Sequence, residues 1–216
     1  FPDFDCDPAL IDAVEQAMRA GQNQYPPMTG VAALRGAISD KIERLHGRRY
    51  DPDTEITVTA GATQALLTAI LSIVHPGDEV IVIEPCYDSY QPNIAMAGAV
   101  AVPIPMTDDF QVPWDRVDAA VTPRTRAILI NTPHNPSATV LGAEDVEALA
   151  ALVDRHGLYV ISDEVYEHMV FDGRPHRSLS AHPVLAERSF VISSFGKTLH
   201  VTGWKVGYCA APAALT

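Results

Sequence analysis

Lysine is nearly missing from this chain. Only Lys41, Lys197 and Lys205 occur in 216 residues, while twelve arginines carry the rest of the positive charge. Positive charge is short altogether: 15 Lys and Arg stand against 27 Asp and Glu, a formal net charge of −12. That balance argues against nucleic acid or an anionic membrane surface as the main partner, though not against a small anion held in a local positive pocket. Cysteine is scarce as well. Cys6, Cys86 and Cys209 are odd in number, widely spaced and without a CxxC pair. They read as reduced thiols of a cytoplasmic protein, not a disulfide framework. No apolar run approaches the ~20 residues needed to span a bilayer, and no signal peptide opens the chain. Internal repeats, a GxGxxG and a Gly-Lys-Ser/Thr P-loop are also missing.

What is present suits one domain. A chain of 216 residues, 47% apolar and 19% charged, can bury a single substantial core. It begins at Phe1 without a Met and stops at Thr216 soon after a strand-like segment, so it is expected to be a piece of something longer. Short apolar runs alternate with amphipathic segments. Helices are expected over 9–18, 31–45, 62–74, 89–97 and 143–155, with Leu34, Ile38, Ile42 and Leu45 on one face of the second. Strands are expected over 55–59, 79–83, 100–104, 127–130, 158–162, 190–193 and 206–210. The runs VIVI, AILI and YVIS are continuously apolar, the mark of strands buried on both faces. The fold class is therefore α/β: a mostly parallel open sheet with helices on both faces.

In such sheets ligands bind outside the carboxyl ends of the strands. The residues there are unusual: Ala60-Gly61-Ala62-Thr63, Glu84-Pro85-Cys86-Tyr87, Asn131 to Pro136, Asp163 to Tyr166, and Ser194 to Lys197. TAGATQALLTAI opens a helix with small residues, whose bare N–H groups and dipole suit a phosphate. Taken alone, it is better explained by tight packing. Asp163 reads equally as a helix N-cap, Tyr87 and Tyr166 as half-buried aromatics, and His134-Asn135-Pro136 as a simple turn. Lys197 stands out because lysine, unlike arginine, can lose its proton when desolvated and act as a nucleophile. Together the set has one economical explanation. A phosphate cradle, a reactive amine, a carboxylate for a pyridinium nitrogen, donors for a ring oxygen and an aromatic to stack describe a pyridoxal phosphate site.

The segments QYPPMTGVAALRGAI, ITVTAGATQAL, EPCYDSY, NTPHNPSATV, ISDEVYEH and SSFGKTLHVTGWKVGY resemble the class I, fold-type I pyridoxal-phosphate aminotransferases over nearly the whole chain. Within that family the chain is most similar to methionine and kynurenine aminotransferases. The resemblance implies the large cofactor-binding domain over residues 1–216, with one antiparallel strand in its sheet. It implies transamination of an L-amino acid, methionine or an aromatic one favoured, with a 2-oxo acid. It assigns Lys197 as the catalytic amine joined to pyridoxal 5'-phosphate and as the proton carrier. Asp163 would pair with the ring nitrogen, Tyr166 and Asn135 with the ring oxygen, and Tyr87 would stack. Asn135 would also touch the substrate carboxylate. Gly61, Ala62 and Thr63, with Ser194 and Lys205, would hold the phosphate. Tyr25 would reach the neighbouring subunit's site in a homodimer. No metal, nucleic acid or membrane partner is implied.

The chain departs from the pattern at two places. Many relatives have Arg where Lys205 stands, so the phosphate grip becomes a point-charge contact. The turn reads Asn-Pro-Ser-Ala-Thr, and Ala138 lacks a glycine's ease at positive φ, so a differently shaped turn is expected. An N-terminal arm ending just before FPDFD and a C-terminal small domain, with its carboxylate-binding arginine, are absent from these residues. The chain by itself is therefore expected to bind cofactor weakly and to transaminate poorly. Three rivals stay open. β-Elimination from cysteine conjugates could use the same residues, and an aminotransferase-like sensor domain could share the fold. Ser194-x-x-Lys197 also fits the S-x-x-K of Ser-Lys hydrolases, though it follows a buried strand instead of opening a helix.

Overall fold

The computed structural model describes residues 4–216; Phe1 to Asp3, the start of FPDFD, lie outside the described residues. The chain opens with helices α1 (Pro8–Arg19) and α2 (Ala32–His46). Asp7 starts α1 by accepting the Ala9 N–H at 2.8 Å, and Pro8 sits where its missing N–H costs nothing. Then strands and helices alternate: β1 (Ile56–Thr59), α3 (Gly61–Ile73), β2 (Glu79–Glu84), α4 (Tyr90–Met96), β3 (Val100–Pro105), α5 (Trp114–Ala119), β4 (Thr125–Asn131), α6 (Ala143–His156) and β5 (Tyr159–Asp163). The last part holds α7 (Pro183–Ala186), β6 (Ser189–Ser194), the one-turn α8 (Phe195–Thr198) and β7 (Gly207–Ala210). Each expected helix and strand is present to within a few residues. The short helices α5, α7 and α8 went unread, because four to six residues carry too little periodicity to register.

All seven strands form one sheet in the order β1-β7-β6-β5-β4-β2-β3. β2 to β6 pair in parallel, while β7 runs antiparallel to both neighbours, β1 and β6. It is the one reversed strand, as the resemblance implied. Alternation within the apolar strands explains why they read as continuous. Val80, Val82, Leu129 and Ile161 meet α3 and α4 on one face; Ile81, Ile83, Ile128, Ile130 and Val160 meet α6 on the other. Both faces are covered, so the central runs Val80–Ile83, Ala127–Ile130 and Val160–Ile161 of β2, β4 and β5 are continuously apolar. A third cluster packs α2 on β1 and β7 through Ile38, Ile42, Tyr50, Ile56 and Tyr208. Leu45 corrects the face expected for α2. It is exposed, because the last turn of the helix extends past that cluster.

The reversed strand sets the geometry of one sheet edge. Gly207 opens β7 and lies between Thr59 at the end of β1 and Ser194 at the end of β6. A Cβ on Gly207 would stand 2.5 Å from the Gly61 carbonyl carbon and 2.6 Å from the Ala62 nitrogen. Main chain meets main chain there, and only a residue without a side chain fits. Gly207→Ala is therefore expected to lower unfolding stability by about 1–3 kcal/mol, read by denaturant titration. A change below ~0.5 kcal/mol, within the ordinary surface range, would show that the crossing is not tight.

Candidate active site

The carboxyl ends of the parallel strands and the amino end of β7 converge on a cleft of about 150 Å³. Ten of the eleven expected site residues line it. Gly61, Ala62 and Thr63 come from the first turn of α3, Tyr87 from the segment after β2 and Asn135 from the turn after β4. Asp163 ends β5, with Tyr166 three residues on; Ser194 ends β6, Lys197 lies in α8, and Lys205 precedes β7. Tyr25 does not join them. Its side chain is 99% exposed in the loop between α1 and α2, away from its own chain's cleft.

The local sequence explains each placement. Gly61 takes φ +76°, a left-handed backbone that turns β1 abruptly into α3. The Ala60 N–H is closed off by Gln64 Oε1 at 2.6 Å. The next N–H groups, from Gly61 on, belong to the first helical turn, which has no intrahelical acceptors. Lys205 reaches over them: a Cβ on Gly61 would be 3.2 Å from Lys205 Cε and 3.5 Å from its Nζ. Bare amides and an ammonium thus face one spot. The Lys197 ammonium lies 5.7 Å from the centre of the Tyr166 ring.

Asp163 is buried and is no helix cap. Its Oδ1 accepts the Val165 N–H at 3.2 Å and its Oδ2 accepts the Tyr90 hydroxyl at 2.6 Å. Burial pushes its carboxyl up to about 6, against these two bonds, with Glu164 adding to the rise. The Tyr90 phenol rises well above its usual range through its own burial and the same carboxylate. Tyr87 packs edge-on against Tyr90, with ring centres 5.7 Å apart. Burial, then Asp163 and Tyr87, also push Tyr166 up.

Residues 1–216 match the family described as Aminotransferase class I and II. The chain belongs to that family. It is 51% identical to the methionine aminotransferase of Escherichia coli K12, over the whole of this chain and 56% of that protein. The crystal structure of E. coli YbdL, which was assigned a methionine aminotransferase function, superposes with a TM-score of 0.97, covering all of this chain and 57% of the other. N-Succinyldiaminopimelate aminotransferase from Mycobacterium tuberculosis does so with the same TM-score at 48% identity, again over all of this chain and 57% of that one. The chain thus spans a little over half the length of the curated relatives it matches.

Several features of this family member were not foreseen. Ala138 takes φ +61°. The turn keeps the left-handed backbone it was expected to lose, held by His134 N–H to Thr139 O and Ala138 N–H to His134 O, both 2.8 Å. Two short bonds outweigh the ~1–2 kcal/mol that a Cβ costs there. Ser194 is the N-cap of α8 as well as the end of β6, so the helix-start distinction drawn against S-x-x-K does not hold. Tyr90 and Asn131 line the cleft too. Tyr90 was detectable as the i+3 companion of Tyr87, and Asn131 as the last residue of a buried strand. Lys41, distant in sequence, lies beneath the same strand ends: its ammonium meets Glu167 Oε1 and, at 2.9 Å, Tyr208 Oη. Burial works against the Glu167 charge, yet His46, Lys41 and Ser193 together hold its carboxyl well below the usual range. Among the described residues, no cluster of His, Cys, Asp and Glu could hold a metal ion, and no helix is long and apolar enough to cross a membrane.

The Asp163 charge has a measurable consequence. Its carboxyl titrates near 3.8 when unfolded and near 6 when folded, so between these values the folded chain holds the extra proton. Raising the pH from about 4 to about 6 therefore removes stability from the cofactor-free protein, and above that the loss is constant. Measured as wild type minus Asp163→Asn, which cannot titrate there, the expected loss is about 3 kcal/mol. Denaturant unfolding across that pH range reads it, and a pH-independent difference would contradict the burial argument.

Proposed function

We propose that the whole protein is a pyridoxal-phosphate-dependent aminotransferase, exchanging the amino group of an L-amino acid with a 2-oxo acid. The observation that carries this is the meeting, in one cleft, of the Lys197 amine, the buried Asp163 carboxylate and a strand-to-helix turn of bare amides under Lys205.

These residues fit the cofactor. Its phosphate suits the first turn of α3, where Gly61, Ala62, Thr63, Ser194 and Lys205 gather, and where a Cβ at Gly61 would crowd Lys205. Its ring nitrogen suits Asp163, whose desolvated charge has no cation beside it among the described residues. When bound, pyridoxal phosphate supplies an aldehyde carbon for amines and a ring that withdraws electrons from the neighbouring carbon. Asp163 holds a proton at the ring nitrogen, which maintains that withdrawal. Tyr166 and Asn135 would donate to the ring oxygen, and Tyr87 would stack on the ring. Lys197 would be the amine that holds the aldehyde carbon and, in its unprotonated form, would take up and return the proton of the substrate α-carbon. Arginine cannot do this, since it stays protonated.

Residues 1–216 are, in this reading, the large cofactor-binding domain of a cytoplasmic homodimer. The free projection of Tyr25 from its own chain supports a contact with a neighbouring site. No arginine lines the cleft among the described residues, so the grip on the substrate carboxylate falls largely to the remainder of the protein, with Asn135 assisting. Similarity to methionine aminotransferase at 51% and to an aromatic-amino-acid aminotransferase of Thermococcus litoralis at 35% favours a methionine or aromatic donor.

Lysine chemistry separates the two site lysines. Lys197→Arg is expected to abolish the visible absorbance of bound pyridoxal phosphate. Lys205→Arg is expected to keep it, while Lys205→Ala weakens cofactor binding about tenfold or more, the loss of one charge-assisted contact. Spectral titration with the cofactor distinguishes them. Retained absorbance in Lys197→Arg would defeat the assignment of the reactive amine.

A further inference from the structure

Asn131 ends β4, is buried, and lines the cleft. Its side chain spans two residues of the site. Nδ2 donates to the Asp163 carbonyl at 2.9 Å, and Oδ1 accepts the Asn135 N–H at 2.7 Å. One partner is a carbonyl and the other an N–H, so the amide can stand only one way round. β4 and β5 are already in register there, with Asn131 beside Asp163, and the Thr132 N–H also donates to the Asp163 carbonyl at 3.0 Å. Asn135 has no such anchor in the sheet. It follows β4 by four residues, in a turn whose far side is the left-handed Ala138.

Given the cofactor reading of the cleft, we propose that Asn131 is a positioning residue. Its single amide fixes the Asn135 turn to the strand end that carries Asp163, and so sets the distance between the group at the ring nitrogen and the group at the ring oxygen. The amide is rigid and has two specific partners, so each end of the ring is held relative to the other. A merely structural residue would need to fill the space. This one must also present a donor and an acceptor about an amide's width apart, which Leu, Asp and Thr cannot do.

The test uses the full-length protein loaded with pyridoxal phosphate and follows the visible band of the bound cofactor against pH. Asn135 donates to the ring oxygen and favours its ionised form, so losing that bond raises the midpoint. Asn135→Ala is expected to raise it by about one pH unit, the worth of one hydrogen bond. Asn131→Leu, which keeps the branching and the heavy-atom count of the side chain, is expected to raise it by a similar amount. In the Asn135→Ala background the same change should add little, because Asn131 acts through Asn135. The titratable groups around the cleft, Asp163, Tyr87, Tyr90, Tyr166, Lys197 and Lys205, are unchanged throughout. If Asn135→Ala leaves the midpoint in place, the cofactor reading itself is at fault. If Asn135→Ala moves it and Asn131→Leu does not, or Asn131→Leu shifts it equally in both backgrounds, the positioning role is refuted. Should Asn131→Leu fail to fold, Asn131→Thr, a good strand residue whose shorter hydroxyl cannot stand in for both ends of the amide, must still raise the midpoint; no shift there refutes the role equally.

Discussion

Asp163 carries a carboxylate into the interior at the end of the central strand β5, and the cleft is arranged around that charge. Two donors, the Tyr90 hydroxyl and the Val165 N–H, are too few to offset its desolvation, and its carboxyl rises to about 6. A group in that condition either takes up a proton or acquires a cation. The neighbouring Glu167 shows the other outcome. It is also buried, yet Lys41, His46 and Ser193 surround it and keep it ionised. Two buried carboxylates four residues apart thus differ in their partners: among the described residues, Glu167 has Lys41, His46 and Ser193, whereas Asp163 has two neutral donors and no cation. The one without a cation faces the cleft.

Topology makes that contrast possible. Parallel strands β2 to β6 bring their carboxyl ends to one edge, while the reversed β7 brings its amino end to the same edge. Lys205, just before β7, therefore lies over the Gly61 turn just after β1, though 144 residues separate them in sequence. The main-chain crossing at Gly207 leaves no room for rearrangement there. Rigid crossings beneath and loops above are the arrangement that holds reactive side chains in place.

Most of the architecture was legible in the sequence, because buried parallel strands and amphipathic helices leave strong patterns. VIVI and AILI carry the mark of strands covered on both faces, and the rule that ligands sit past strand ends led directly to Gly61, Asn135, Asp163 and Lys197. What escaped notice depended on three-dimensional neighbours. Tyr90 acts through a hydroxyl that meets Asp163 across 73 residues of sequence, and Asn131 through two backbone partners. Neither bond has any periodic trace. The left-handed Ala138 went against residue preference because two backbone hydrogen bonds close its turn. Tyr25 is the one expected site residue that the chain does not bring to its own cleft.

The central claim is that one lysine of three is the reactive amine. Borohydride reduction of the protein with pyridoxal phosphate, followed by peptide mapping, tests it directly. Lys41 is tied to Glu167, and Lys205 sits at the mouth of the amide cradle. The account predicts that the stable pyridoxyl label is found on the peptide containing Lys197 and is lost in Lys197→Arg. A label distributed over Lys41 or Lys205, or unchanged in that variant, would contradict it.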